Sequence, residues 1–444
     1  MARKIEVGGR ESSRITPKKM TKSHTAKSIF LLLILSLNWA IPRVSRAQGY
    51  TIQDLGSNAW SYSAAHGINA LGDVVGEYEP TNFFYVQAFL YENGTMVDVG
   101  HLPGTPYAIA YGINGTNAVV GESNTANSTH AFLASNGTIK DLGTLGVIGG
   151  YSSAHAINQS EEIVGEASLV NVSVIHAVLY SGANKTDLGA LGGDYSSANA
   201  INNFGIIVGE SDVVELGVTN VHAFVYTNGA GASMKDLGTL GGPYSSAKGI
   251  NDSGVIVGES ETLVGGVSDL HAFIYRNGLM SDLGTLGGRV SSASAINTHG
   301  QVVGYATDTN ETASAFLYNG SSMINLSEMI PAGSGWTNLG SADAINDAGQ
   351  IAGSGYLADG SYHAYLLTPI APWVALSSAA TLSNGQFQVT VQGNSGERFA
   401  LLASSNLVDW TGWFTNTLSG TSQVVADPYA TNGGSRYYRA LLLP

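Results

Sequence analysis

The sequence predicts an all-β protein: a seven-bladed β-propeller closed by its own N-terminal strand, followed by a small β-sandwich. Three observations carry that prediction. Four short elements recur seven times at a spacing of about 45 residues. Each reads as a short strand of Ile, Val, Phe and Tyr bounded by turn residues. Charged residues make up only 12% of the chain, whereas 57 of its 444 residues are Gly, a balance that suits turn-rich strands and leaves little for salt-bridged helices.

The first element ends in Ile-Asn, at Asn69, Asn114, Asn158, Asn202, Asn251, Asn297 and Asn346, with intervals of 45, 44, 44, 49, 46 and 49 residues. The second, "VVGE" or "IVGE", places Gly76, Gly121, Gly165, Gly209, Gly258, Gly304 and Gly353 in register. The third, "HAF", centres on Ala88, Ala131, Ala177, Ala223, Ala272, Ala315 and Ala364. The fourth, "DLG", stands at Asp54, Asp98, Asp141, Asp187, Asp236 and Asp282, with Asn325 in the remaining copy. Turns such as "NDSG" join the first element to the second. Asn-Gly turns, at Asn93-Gly94, Asn136-Gly137, Asn228-Gly229, Asn277-Gly278 and Asn319-Gly320, join the third to the fourth, and Asn-Gly is the strongest short hairpin signal. A solenoid would stack shorter repeats and need distinct caps. No caps are visible, and seven four-stranded units close a ring.

Strand phase follows from side-chain size. Ala and Gly in "SSAKGIN" and "SSASAIN" suit a crowded axis, so the Ile-Asn strand is expected innermost and "DLG" outermost. The chain then begins with an orphan outer strand, "YTIQDLG" (50–56), and ends with a blade (342–368) lacking one. The N-terminal strand is expected to complete that last blade.

Taken together, "HAF…NG…DLGTLGG…SSA.AIN…G.IVGES" resembles the HAF-repeat family of extracellular repeat proteins over residues ~50–368. The resemblance implies export and a propeller-like array, and brings no catalytic mechanism or ligand. Residues 374–444, with "SSNLVDW" and "RYYRALL", resemble small β-sandwich modules of secreted bacterial proteins.

The expected domains are a signal peptide over 1–47, the propeller over 48–370 and the sandwich over 374–444. A basic stretch, the apolar run "SIFLLLILSLNWAI", and Ser45 and Ala47 before a cleavage point make the signal-peptide pattern, and Met20 would leave a signal of ordinary length. An uncleaved anchor is the alternative, although the run is short for a membrane span. Residues 1–47 hold ten of the 19 Lys and Arg but two of the 33 Asp and Glu, leaving 9 basic against 31 acidic side chains beyond them. Such a surface repels phosphate backbones, which argues against nucleic acid, and is compatible with cationic ligands or Ca²⁺. The absence of Cys excludes disulfides and a thiol nucleophile.

Chemistry is sought in the columns of the repeat. The Glu column (Glu77, Glu122, Glu166, Glu210, Glu259) and the His column (His130, His176, His222, His271, His363) flank one loop, and are expected to pair across strands and close its stem. The Asp of "DLG" is expected to cap the turn after it. No phosphate loop, GxSxG elbow or EF-hand loop is present, and no cofactor or metal is expected. The column that the repeats leave free is x in "YSSAxAIN": His66, Tyr111, His155, Asn199, Lys248, Ser294 and Asp343. Placed near the start of the innermost strand, these side chains are the expected ligand-binding residues at the channel mouth. The expected function is a secreted, monomeric, non-catalytic binder of a carbohydrate or protein partner. The alternatives are an extracellular polysaccharide lyase or hydrolase using the same mouth, and a passive surface or adhesive component.

Overall fold

A computed structural model describes residues 49–443 except 57–59, 82–84, 147–148, 170–172, 228–231, 265–266, 371–373, 382–386, 395, 406 and 428–436. The segment read as a signal peptide and the Asn228-Gly229 turn lie outside the described residues. No described helix is long and apolar enough to cross a membrane. The chain divides near residue 371 into two compact units.

The protein is all-β, built from several sheets, none closed into a barrel. The larger unit repeats one antiparallel meander. In one copy its strands are Ser152–Ile157, Glu162–Ser168, Ile175–Ser181 and Asn184–Asp187, each paired with the next. Of the four described Asn-Gly turns that join the third element to the fourth, three form as their residues dictate. Asn93-Gly94, Asn136-Gly137 and Asn277-Gly278 all take positive φ, as a two-residue hairpin loop requires. Asn319-Gly320 instead lies in a four-residue loop between Tyr318 and Met323, with only Gly320 at positive φ.

The orphan strand pairs as its position in the repeat demands. Tyr50–Asp54 runs antiparallel to Tyr362–Pro369 and gives the last meander its fourth strand. Tyr50 is buried there with Tyr365, Leu339 and Leu367.

The inner strands are tied end to end. Each Ile-Asn asparagine donates its Nδ2 to the main-chain oxygen of the next unit's asparagine: Asn69 to Asn114, Asn114 to Asn158, Asn158 to Asn202, Asn202 to Asn251, Asn251 to Asn297, and Asn297 to Asn346. Asn346 donates back to Asn69 at 3.0 Å, so the cycle closes. Each Oδ1 meanwhile accepts N–H groups of its own turn, as Asn202 does from Phe204 and Ile206. Asparagine carries both an acceptor and a donor, which is why this residue type recurs. A second seam uses the first Ser of "SSA", whose hydroxyl accepts the amide N–H of the preceding unit's "HAF" alanine. It joins Ala131 to Ser152, Ala177 to Ser196, Ala223 to Ser245, Ala272 to Ser291 and, last unit to first, Ala364 to Ser63.

The second unit has two three-stranded sheets. One holds Val374–Thr381, Phe387–Gly393 and Ser422–Asp427; the other holds Thr411–Thr417, Arg398–Ser404 and Tyr437–Leu442. Their core includes Phe387, Val389, Phe399, Leu401 and Tyr438, and the buried Tyr438 hydroxyl donates to Asp427 at 2.8 Å.

Candidate functional site

The seven x residues share one backbone feature. In every unit the pairing of the inner strand with the second strand slips at x, between Ala65 and Gly67, Ala110 and Gly112, Ala154 and Ala156, Ala198 and Ala200, Ala247 and Gly249, Ala293 and Ala295, and Ala342 and Ala344. Each x residue is therefore the extra residue of a β-bulge, a device that re-aims a side chain out of the sheet's alternation. The bulge also explains the invariant glycine of the second strand. A Cβ on Gly165 would stand 1.9 Å from the Ser153 carbonyl oxygen, and Gly76, Gly121, Gly209, Gly258 and Gly304 meet the equivalent oxygen at the same distance.

The bulges lie past the middle of the inner strand, three residues before the asparagine cycle, rather than at its start as the sequence led us to expect. All seven x side chains are half-buried, and five of them, His66, Tyr111, His155, Asn199 and Lys248, touch one another or the neighbouring inner strand. The rings of His66 and Tyr111 are 5.5 Å apart, and those of Tyr111 and His155 5.8 Å apart. His155 Nδ1 lies 3.1 Å from the Ala198 oxygen, and Asn199 Nδ2 donates to the Ala247 oxygen at 3.0 Å. Lys248 Nζ donates to Ser292 Oγ at 3.0 Å and pairs with Glu259 at 2.8 Å. Asp343 accepts from its own strand's Ser341 at 2.8 Å. One arc of the ring, His66–Tyr111–His155, is thus aromatic, and the rest is polar or charged.

The Glu column does not pair with the His column. Glu122 stands opposite Ala131 and Ser123 opposite His130, and the same offset holds at Glu166, Glu210 and Glu259. Neighbouring strand positions face opposite sides of the sheet, so a one-residue offset separates the two columns. The histidines face the outer strand: His130, His176, His222, His271 and His363 each place Nδ1 2.8–3.0 Å from Asp141, Asp187, Asp236, Asp282 and Asp54. The same aspartates cap the turn after them, as expected: Gly143, Gly189, Gly238, Gly284 and Gly56 donate their N–H groups at 2.6–2.8 Å.

The glutamates take a partner that sequence reasoning passed over, the Tyr that opens "YSSA". Tyr62, Tyr107, Tyr195 and Tyr244 donate to Glu77, Glu122, Glu210 and Glu259 at 2.7, 2.8, 3.0 and 3.2 Å. Tyr151 instead reaches back to Glu122 at 3.0 Å. The signal was present as a Tyr column in register with the Glu column 15 residues on, but nothing local ties the two together.

The electrostatics follow from this girdle. Burial, reinforced by the neighbouring glutamates, pushes the phenols of Tyr107, Tyr111, Tyr151, Tyr195 and Tyr244 far above their ordinary range. At Glu77 burial acts upward, but His66 and the Tyr62 hydroxyl outweigh it and hold the carboxyl below its ordinary value. Burial raises the Asp343 carboxyl, with His66, Ser341 and Lys248 pulling against it. Among the described residues no group of three or more His, Cys, Asp and Glu is arranged to hold a metal ion.

Residues 243–401 match the family model described as a protein of unknown function (DUF3466). That match runs from the fifth meander into the second compact unit, and it replaces the family resemblances read from the repeats and the C-terminal residues. No HAF-repeat family is found. A recurring "HAF" spelling is produced by the packing needs of a repeated strand, so it is a weaker marker of descent than a profile over a continuous segment. No curated protein matches the chain.

Proposed function

We propose that the seven meanders form a seven-bladed β-propeller, exported and non-catalytic, that binds a carbohydrate chain in its central channel, along the x residues of the inner strands. The supporting observation is the bulge repeated in every unit, which turns seven polar, mostly different side chains out of the sheet in an otherwise fixed frame. The closed asparagine cycle supports the propeller reading, because a linear stack would not return Asn346 to Asn69. The aromatic arc offers stacking surface for a sugar ring. Asn199, Ser294, Lys248 and Asp343 offer donors and acceptors for its hydroxyls.

The lyase reading is less well supported. A tyrosine base must give up its proton near neutral pH, and the Tyr111 phenol is held strongly protonated by burial and by Glu122. Retention of the chain on insoluble cellulose, chitin, xylan and starch tests the proposal, with soluble oligomers of the retained polymer then titrated calorimetrically. The triple variant His66→Ala, Tyr111→Ala, His155→Ala should weaken binding at least about tenfold while keeping the thermal midpoint within a few degrees. Equal binding by that variant would refute the site. Retention on none of the polymers would overturn the carbohydrate reading, and release of reducing ends or unsaturated sugar would make the protein an enzyme.

A further inference from the structure

The hairpin of Ile206–Glu215 and Val218–Thr227 departs from its sisters at its tip, and only the hairpin of the next unit, Ile256–Val264 and Val267–Arg276, comes close to its length. Both strands run ten residues, against seven for each of the corresponding strands Glu162–Ser168 and Ile175–Ser181. Glu215 pairs with Val218 across a two-residue loop, Leu216-Gly217, whose φ angles are 52° and 78°. Elsewhere in the protein the same loop, with nearly the same angles, is Asn93-Gly94, Asn136-Gly137 and Asn277-Gly278. Asparagine tolerates the left-handed region because its short amide bonds locally, whereas a leucine there is uncommon and strained. Leu216 is also completely exposed, at 106%. Backbone strain and apolar exposure both cost stability.

Leu216 is not alone. Val214 and Val218 beside it are 50% and 59% exposed, and Leu263 stands 57% exposed near the end of Ile256–Val264 in the next unit. The hairpins are braced at their stems. A Cβ on Gly193 would meet the Asp212 Cβ at 2.4 Å, and one on Gly242 the Glu261 Cβ at 2.4 Å, so the "LGG" crossovers pack directly against them.

We propose that this tip is an interfacial anchor that inserts into a zwitterionic lipid surface. Its exposed apolar side chains are aliphatic only, without the Trp, Tyr or Arg that dominate protein–protein hot spots. Three such side chains, Val214, Leu216 and Val218, fall well short of the roughly 1,200 Å² that a stable protein interface buries. A fluid apolar phase needs no complementary shape, and shallow insertion of a few apolar groups gives reversible attachment. Charge selects the lipid. Residues 206–227 include Glu210, Asp212 and Glu215 and contain no Lys or Arg, so anionic headgroups repel this hairpin. The tip is distinct from the ring of x residues and does not depend on its reading.

The full chain is to be tested with phosphatidylcholine vesicles, with and without phosphatidylglycerol. Leu216→Asn should keep or raise the thermal midpoint, because it restores the favoured turn residue, and should reduce vesicle co-sedimentation at least threefold. In Leu216→Trp, emission of the introduced tryptophan should shift to shorter wavelength on adding phosphatidylcholine vesicles and be quenched by brominated lipid. Phosphatidylglycerol should weaken both effects. Equal co-sedimentation of wild type and Leu216→Asn, an emission shift no larger than wild type's, or tighter binding to phosphatidylglycerol would each overturn the proposal. So would Leu216-dependent self-association in sedimentation velocity, which would assign the tip to a second copy of the chain.

Discussion

One glycine per unit decides whether the bulge can form. The carbonyl displaced by the bulge occupies the place of a Cβ on Gly165, 1.9 Å from the Ser153 oxygen, and backbone cannot yield as a side-chain end can. Gly165→Ala should therefore cost about 3 kcal/mol or more, read from urea denaturation. Gly412→Ala, where a Cβ meets nothing within 4 Å, should change stability by less than about 0.5 kcal/mol. Asp343 makes a second prediction at this scale. Burial raises its carboxyl in the folded chain above the ordinary value. The folded state thus favours the protonated form, and that contribution, complete below the ordinary carboxyl pKa, is lost as pH rises through the raised value. Asp343→Asn should be more stable than wild type at pH 7, and the difference should close as pH falls towards about 4. Denaturation midpoints measured across that range check the sign. The x residues were legible as a column because they vary, six residue types at seven positions, in a fixed frame. Their re-aiming was not, because a bulge is a mismatch between two strands and no single strand records it.

Elements show the same division. The pairing of Tyr50–Asp54 with Tyr362–Pro369 follows from counting strands: one outer element is spare at the start and one is missing at the end. Removing residues 49–55 takes Tyr50 and Leu55 from two buried clusters and should lower stability by at least about 3 kcal/mol, seen as a reduced thermal midpoint. An unchanged midpoint would mean that this strand contributes nothing to closing the last unit. Turn chemistry was equally readable, since Asn-Gly and the Asp before "LG" act within a few residues of themselves. The misassigned pairs are those that cross strands. Glu and His sit near each other along the chain, yet they are one register step out of opposition. Their actual partners are distant in sequence. The Tyr lies 15 residues before Glu77, Glu122, Glu210 and Glu259, with Tyr151 29 residues after Glu122. The Asp lies 11 or 14 residues after His130, His176, His222 and His271. His363 reaches Asp54, 309 residues away.

At the scale of the whole molecule, the last and first units meet through the same asparagine and serine bonds that join other neighbouring units. The unit ending near residue 371 and the unit that follows each have a core of their own. Residues 45–371 expressed alone should accordingly keep their β-type circular dichroism and melt cooperatively; a chain that fails to fold would show that the C-terminal residues are required. By itself the amino-acid sequence determined the β class, the seven-fold repeat, the turns and the spare strand, because each of these depends on residue type and spacing within tens of residues. Only the tertiary structure decided the closed cycle of asparagines, the bulge beneath every x residue, the Tyr–Glu and His–Asp pairings and the exposed tip at Leu216. These depend on register between strands and on neighbouring units, and a one-residue change in register moves a side chain to the opposite face of its sheet.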